Sequence, residues 1–350
     1  MSGASPLNAQ PIAIRDPFFQ GWLIRTIDHV QDRSVVLIVA SFSADGAAAY
    51  TEHYVFCAVT ERGTTRTFTA FPEPAAVTVS SPSERNGLDV RWTAKGVGEF
   101  HFTDALCVAN FAFGDALSVT MKVSNRKPWG ENGSGPEGWL GQTSLLPSRY
   151  FIHSVGSDAE YAVRVDGRHF AGRGFSHMEC NHGNFFPRGW VWSEAIGKDN
   201  ESSFSLVIGK IVVGPLEPFI STFYLRRRNG ETAVFRTTDL DRVRYVLDGV
   251  RKVAHLEFTS RFTRKRAVLH IAATEPAFHK VWVPTPLGMS SAPGCEETYT
   301  ALATVAYQQG AEEESYSFPL TAFEFGGTFL QAVHQNAALE KRRDAASLSL

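Results

Sequence analysis

Short runs of apolar and β-branched residues, separated by turns rich in Gly, Pro, Asn and Asp, recur along most of the chain. Such runs predict β-strands. The alternation of Phe204, Leu206 and Ile208 with Ser205 and Val207 predicts a strand with one fully apolar face. The pattern predicts strands at residues 34–42, 53–60, 88–93, 100–105, 117–123, 204–213, 219–226, 232–237, 255–262, 267–272 and 300–307.

Only the last segment, Thr328 to Ala346, has apolar positions at helical spacing. Many short strands without intervening helices predict an all-β protein built as a sandwich or barrel. The strands exceed what one small eight-stranded barrel needs, so we expect two sequential antiparallel β-units packed together, with one C-terminal helix. The Gly- and Pro-rich loop Lys127 to Gly141 suggests the boundary and predicts an exposed linker or rim. The expected division is residues 15–135, 136–327 and 328–350.

Composition narrows the function classes. Of the 350 residues, 43% are hydrophobic and 26 are Phe, enough rings to line a large apolar cavity or to fill a large core. The formal net charge of −2 provides no basic excess for a phosphate backbone, so nucleic acid is not expected as a partner. We expect a hydrophobic small molecule instead.

The four cysteines are far apart and form no C-x-x-C pair, which argues against a disulfide scaffold or a thiolate zinc site. A reducing compartment is therefore the default expectation. Residues 1–14 lack the apolar core of a secretory signal, and no plastid-type transit segment is recognisable. No run of 18 apolar residues occurs, so no spanning helix is expected. Contact with a membrane surface, and the organelle, stay open.

The densest cluster of unusual residues is His177 to Glu194. In a strand, Trp190, Trp192 and Glu194 share one face because side chains alternate. Facing a cavity, they would offer two rings able to stabilise a cation and a carboxyl able to donate a proton. The alternative interpretation is a buried Trp pair beside a surface Glu.

His177, Glu179 and His182 could suggest a metal site, but their spacing is not H-E-x-x-H and no cysteine pair completes a deaminase pattern. We therefore expect hydrogen-bonded neighbours and no metal. The chain also has no phosphate-binding Gly-rich loop, no G-x-S-x-G elbow and no dinucleotide fingerprint. A nucleotide-dependent enzyme and a serine hydrolase are disfavoured, and no cofactor is expected.

Four motifs are spread over residues 18 to 330. They are Gly21-Trp22 after an aromatic pair, Glu179-Cys180-Asn181-His182-Gly183 followed by Phe186-Pro187, Trp190 and Trp192, then Pro284-Thr285, Gly288 and Cys295, and finally Phe323-Glu324-Phe325-Gly326-Gly327. In this order they resemble the tocopherol cyclase-like family, which is related to the lipocalin-like hydroxyneurosporene synthase and AttH-type folds. The sequence departs from the family pattern at Cys180, His182 and Glu194, where the family has Lys, Trp and Gln. These departures point to a different substrate within the same chemistry.

The resemblance implies a two-part lipocalin-like β architecture that encloses an apolar cavity. It also implies an isomerase that closes the chromanol ring of vitamin E biosynthesis from a prenylated hydroquinone. Protonation of the trisubstituted alkene would form a tertiary cation, and the phenol oxygen would close the ring without a redox cofactor.

The sequence thus predicts Glu179 or Glu194 as the general acid, with Asn181 and His182 orienting it or the phenol. Trp190 and Trp192 would face the developing cation. Further substrate contacts are predicted from Trp22, Phe186 and His177. Two alternatives remain open: a non-catalytic carrier of lipids or isoprenoids, and a hydratase or pericyclase acting on another terpenoid or a polyketide.

Overall fold

The computed structural model describes residues 19–44, 50–80, 89–129, 135–143, 146, 148–184, 186–212, 216–248, 251–273, 277–285 and 287–330. The described chain forms two compact units. Unit 1 comprises the described residues up to Phe186 together with 284–290, and unit 2 comprises the rest. Every strand pairing within the described residues is antiparallel, which confirms the predicted all-β class with two β-units.

Unit 1 contains one eleven-stranded sheet among its described residues, in the order β4-β3-β2-β1-β11-β10-β9-β8-β7-β6-β5. Its strands are β1 (Phe19–Asp28), β2 (Arg33–Phe42), β3 (Glu52–Glu61), β4 (Thr64–Ala70), β5 (Val77–Ser80), β6 (Asp89–Ala94), β7 (Gly98–Thr103), β8 (Cys107–Phe113), β9 (Leu117–Ser124), β10 (Ser148–Val165) and β11 (Arg168–Gly183). Short 3₁₀ turns occupy Pro74–Ala76 and Gly138–Gln142.

The sheet of unit 1 curls so that strands far apart in the sheet order touch across its interior. The ring of Trp22 on β1 lies 5.5 Å from that of Phe100 on β7, and Phe68 on β4 lies 6.1 Å from Phe113 on β8. Alternation along each strand places one apolar row inside this nearly closed barrel. Each large side chain buried there contributes about 1.5–3 kcal/mol.

Unit 2 contains a second sheet, in the order β15-β14-β13-β12-β23-β22-β18-β17-β16, with β19 paired to β22. Its strands are β12 (Gly189–Ile196), β13 (Ser203–Lys210), β14 (Phe219–Arg226), β15 (Thr232–Arg236), β16 (Arg242–Asp248), β17 (Val253–Thr259), β18 (Lys265–Ala272), β19 (His279–Val281), β22 (Cys295–Gln309) and β23 (Glu312–Gly327), and a 3₁₀ turn covers Thr237–Asp239. Phe223 on β14 stacks on Phe258 on β17 at 4.8 Å, so this sheet also folds over its own apolar face.

A small hairpin, β20 (Pro284–Thr285) with β21 (Gly288–Met289), lies within unit 2's stretch of sequence but belongs to unit 1. A hydrogen bond attaches the hairpin to β3 of unit 1, since the Met289 N–H donates to Oε2 of Glu52 at 2.8 Å. Gly288 has a φ of +116°, and an added Cβ would come within 2.1 Å of Oε1 of Glu52, so this position favours glycine. The motif Pro284-Thr285 and Gly288 thus marks this attachment.

The predicted boundary at residues 135/136 differs from the structure, in which the chain passes between the units at Phe186/Pro187. The reason is that β10 and β11, assigned to the second unit from the sequence, pair with each other and with β9 and β1 in the first sheet. The loop Lys127 to Gly141 therefore joins two neighbouring strands of unit 1. Trp129 in that loop is buried, whereas Trp139 is exposed.

The predicted C-terminal helix begins where expected, since residues 328–330 are helical. Phe329 packs against the apolar core of unit 2. The remainder of the predicted helix lies outside the described residues.

Candidate active site

The motif-bearing strand β11 sends its side chains to two different faces of unit 1. Met178 and Cys180 belong to the apolar interior, and alternation places His182 on the same side. His177, Glu179 and Asn181 face the opposite way. Predicted site residues of this strand are thus divided between two environments, and His182 is on the wrong face of β11 to orient Glu179.

The interior is most polar at one end of the barrel, where β1, β3 and β10 begin and β2 and β11 end. The pairing of Phe19 with both Phe42 and Gly183 defines this end. We call it the histidine end, defined by Trp22, His53, His153 and His182. Trp22 was predicted from the sequence to contact substrate, and His182 to orient the acid or the phenol. Both lie here on the same interior face, since Trp22 pairs with Cys180.

His153, which sequence reasoning missed, lies at the centre of an aromatic cluster. Its ring stacks on Trp22 at 5.3 Å and 21°, and it meets Phe102 edge-to-face at 5.0 Å. A β-bulge between Ile152 and Ser154 re-aims the backbone at this residue. The bulge breaks simple alternation, so no sequence period could have indicated this position.

The imidazole of His153 is fully buried, and neither ring nitrogen has a hydrogen-bond partner among the described residues. Burial is the main reason that its pKa falls to about 3, with further lowering from Arg126 and His182. At neutral pH the ring is therefore uncharged and carries one unused donor and one unused acceptor.

His182 is a second neutral imidazole at the same end. Its ring stacks on Phe151 at 5.5 Å, and its Nδ1 atom has no partner among the described residues. Burial, aided by the charge of Arg149, lowers its pKa to about 4. Phe151 also stacks on His153 at 6.3 Å, so one aromatic ring lies between the two histidines.

The loop between β9 and β10 brings a carboxyl to this end of the barrel. Oε1 of Glu137 accepts a hydrogen bond of 2.8 Å from the Tyr150 N–H. Arg149 reaches the same loop, with Nη1 2.6 Å from the Gly141 carbonyl and 3.5 Å from Oε2 of Glu137. Burial outweighs these contacts and raises the pKa of Glu137 to about 7, so part of its population keeps a proton at neutral pH.

The opposite face of β11 carries the predicted acid Glu179 in a compact polar group. The Tyr150 hydroxyl donates to its Oε2 at 2.6 Å, and Nε2 of His177 lies 2.8 Å from the same oxygen. His177 and Glu179 are both buried, so the expectation that they are hydrogen-bonded neighbours is met. Asn181 lies near Gly21 on this face: a Cβ at Gly21 would come 3.2 Å from its Oδ1.

Unit 2 carries the other predicted acid. Trp190, Trp192 and Glu194 occupy alternate positions of β12, while Val191 and Ala195 between and beside them enter the apolar core. The aromatic face with its carboxyl is thus formed as predicted, but it is turned away from the core of its own unit. All three side chains are buried.

The last predicted contact, Phe186, follows β11 at the end of unit 1. Its ring meets Phe19 edge-to-face at 5.3 Å, which anchors the chain where it leaves the unit. Phe186 therefore has a packing role in addition to any contact with substrate.

Four cysteine thiols, those of Cys57, Cys107, Cys180 and Cys295, are free and buried, and burial raises the pKa of each. Among the described residues no three His, Cys, Asp or Glu side chains are grouped to hold a metal ion. The described helices include none that is long and apolar enough to cross a membrane.

No family model and no curated protein sequence matches the chain. Several solved structures are similar to it over most of its length. A crystal structure of CghA with Sch210972 has a TM-score of 0.62 at 12% identity and covers 88% of each chain. An AttH protein from Nitrosomonas europaea has a TM-score of 0.55 at 13% identity, over 93% of this chain and 98% of that one. Kievitone hydratase from Nectria haematococca has a TM-score of 0.54 at 14% identity, over 93% and 95%.

The chain shares their fold. This agrees with the AttH-type architecture that the sequence motifs imply, because both units lie within the matched length. At this level of identity the likeness concerns the fold alone. The narrower assignment to tocopherol cyclases stays a prediction.

Proposed function

We propose that the chain is an enzyme that binds an uncharged, largely apolar small molecule at the histidine end of unit 1 and isomerises or hydrates it by proton transfer. The observation that carries this proposal is His153, a fully buried imidazole whose nitrogens have no partner among the described residues. Leaving a buried polar group unsatisfied costs about 1–3 kcal/mol. A ligand hydroxyl or carbonyl would offset that cost.

The surroundings of His153 suit a reaction that passes through a carbocation. The Trp22 ring stacks on His153 and the Phe102 ring lies edge-to-face with it, and the electron-rich faces of such rings attract positive charge. Apolar walls also keep water from an intermediate that would otherwise be quenched. No charged side chain is needed to hold an uncharged substrate here.

The specific form of the proposal is closure of a chromanol ring from a prenylated hydroquinone. A proton is added to the trisubstituted alkene, the phenol oxygen bonds to the resulting tertiary cation, and the phenolic proton is returned to the base. The substrate and product are isomers, so no other reactant is consumed. Capture of the same cation by water would instead make the enzyme a hydratase, as one of the proteins of this fold is named.

Among the described carboxyls, we favour Glu137 as the proton donor at this site. It is partly protonated at neutral pH, and it contacts Arg149, the neighbour of His182 across the β10–β11 pair. Glu179 on the other face of β11 and Glu194 in unit 2 remain alternative acids, with Asn181 near the former. Trp190 and Trp192 would serve a cation only if Glu194 is the donor.

The test uses the purified full chain with geranyl hydroquinone, and the products are followed by chromatography and mass spectrometry. Cyclisation changes retention without changing mass, and hydration adds the mass of one water. Glu137→Gln should lower the rate about 10²–10⁴-fold, the usual loss for a general acid. Glu99→Gln, on the same unit with an exposed carboxyl, is the matched control and should keep full activity.

Parallel Glu179→Gln and Glu194→Gln variants identify the acid if Glu137→Gln stays active. Full activity in all three variants would rule out a carboxyl at these positions. If the wild type binds the quinol tightly but converts none of it, the carrier hypothesis replaces the enzyme hypothesis. The carrier is favoured by one observation: both acids predicted from the sequence point away from the apolar interiors of their units.

A further inference from the structure

Three polar side chains on the interior face of unit 1 form a hydrogen-bonded series that the proposed reaction does not yet use. They are Ser41 at the end of β2, His53 at the start of β3, and Trp92 on β6. All three are buried. Nε1 of Trp92 lies 3.0 Å from the Ser41 Oγ, and the same Oγ lies 2.8 Å from Nδ1 of His53.

The donor chemistry fixes the direction of the first bond, and the use of the Ser41 proton indicates the direction of the second. An indole N–H can only donate, so Ser41 Oγ accepts from Trp92. Ser41 has no other acceptor for its hydroxyl proton among the described residues, so the arrangement that uses this buried proton has Nδ1 of His53 accepting it. Burial lowers the pKa of His53 to about 4, so the ring is neutral at pH 7. In this arrangement its single proton is on Nε2.

The Nε2–H of His53 therefore has a set position and is available for another acceptor. No hydrogen bond from Nε2 is made to a described residue, and the ring lies edge-to-face against Tyr50 at 6.2 Å. The Tyr50 hydroxyl already donates to Oε1 of Gln20 at 3.3 Å. Burial raises the pKa of Tyr50 to about 12, so this neighbour is uncharged as well.

We propose that His53, positioned by Ser41 and Trp92, is a headgroup subsite that donates its Nε2–H to an uncharged oxygen of the ligand. The ligand class is a neutral phenol, quinol or enol-type compound with an apolar tail. Carboxylates and phosphates are disfavoured because the side chains in contact with His53, those of Ser41, Tyr50 and Trp92, are uncharged. The cations of this end, Arg126 and Arg149, act on His153 and His182 instead. This inference rests on the proposed function only in placing the substrate inside unit 1.

The first experiment needs no ligand. Nitrogen-15 spectra of the histidine-labelled full chain at pH 7 report which ring nitrogen carries the proton, and His53→Gln identifies the signal. We expect the Nε2–H form in the wild type and a mixture of tautomers in Ser41→Ala. A wild-type His53 protonated on Nδ1, or a Ser41→Ala spectrum identical to wild type, would overturn the assignment.

The second experiment measures dissociation constants for geranyl hydroquinone, for geranylbenzene, which lacks the oxygens, and for a geranylated benzoate. Loss of one neutral hydrogen bond in His53→Phe should weaken the hydroquinone about 2- to 12-fold and leave geranylbenzene unchanged. His53→Gln, which keeps a donor and an acceptor, should recover part of the loss. His101→Gln is the control, because His101 is half-exposed on β7 and bonded to Asp89.

The outcomes separate this inference from the proposed function. If His53→Phe selectively loses hydroquinone binding but the wild type shows no turnover, the subsite is supported and the proposed enzymatic function is refuted. If turnover is unchanged in His53→Phe and all probes bind with equal affinity, the subsite is refuted and the proposed enzymatic function is supported. Tighter binding of the benzoate than of the hydroquinone, or no binding of either, contradicts the neutral headgroup.

Discussion

Replacing His153 by Phe should make the protein more stable while it disables the site. The imidazole is enclosed by the rings of Trp22, Phe102 and Phe151, and a phenyl ring can use the same stacking contacts. The substitution removes the one polar group in this cluster whose nitrogens both lack a partner among the described residues. Substitutions at a ligand site are expected to stabilise a protein when they remove polar groups that are satisfied only by the bound ligand.

The expected change in the free energy of unfolding on His153→Phe has a constant part and a pH-dependent part. Removing an unsatisfied buried polar group should add about 1–3 kcal/mol to the free energy of unfolding at pH 7.5. The pKa of His153 is lowered from 6.5 to about 3, so below pH 6.5 the unfolded chain binds a proton that the folded chain does not. Wild-type stability then falls by about 1.4 kcal/mol per pH unit, or about 2 kcal/mol by pH 5.

The assay is chemical denaturation at pH 7.5 and pH 5, followed by near-ultraviolet circular dichroism. We expect His153→Phe to be more stable than the wild type at both values, with the larger difference at pH 5. His101→Gln, a half-exposed histidine of the same unit, should change stability by less than about 0.5 kcal/mol. His153→Leu tests whether ring size matters.

The reasoning is refuted if His153→Phe and His153→Leu are both less stable than the wild type at pH 7.5. It is also refuted if their difference from the wild type is the same at pH 5. Either result would mean that the imidazole already has a partner in the folded protein.

Two further predictions concern other parts of the chain. The pKa of Glu137 is raised from 4.5 to about 7, so the wild type should lose stability as the pH rises through this range. Between pH 5 and pH 8.5, Glu137→Gln should therefore gain up to about 3 kcal/mol of stability relative to the wild type, as measured by thermal melts. Gly326→Ala would place a Cβ 2.0 Å from the Trp190 ring and should cost about 1–3 kcal/mol, whereas Gly135→Ala, with open space around it, should cost little by the same measurement.

The local period of two residues predicted the all-β class and the faces of the strands with the clearest alternation, whereas strands such as β4, β8 and β10 were not predicted. Phe204, Leu206 and Ile208 all enter the core of unit 2, and Trp190 with Trp192 occupy one face of β12, because alternation is a property of the extended backbone itself. Fold class follows from such local signals. The hydrogen bond between His177 and Glu179 follows in the same way, since residues two apart on a strand are neighbours.

The unit boundary could not be read in this way. Strand β11 pairs with β1, which lies far away in sequence, and nothing in the composition of the loop 127–141 indicates which sheet the next strand joins. Sheet order depends on contacts between distant segments. A turn-rich loop between neighbouring strands of one sheet looks the same in sequence as a linker between two sheets.

The chemistry of the site depended on tertiary structure to an even greater degree. The sequence itself determined that Glu179 and His182 would be on opposite faces of β11, but only the curled sheet decides which of those faces is the interior. The placement of His153 depends on a bulge at Ile152 and Ser154, and a bulge is set by the pairing of two strands. Its lowered pKa then follows from burial, which is a property of the packed barrel and of no single segment.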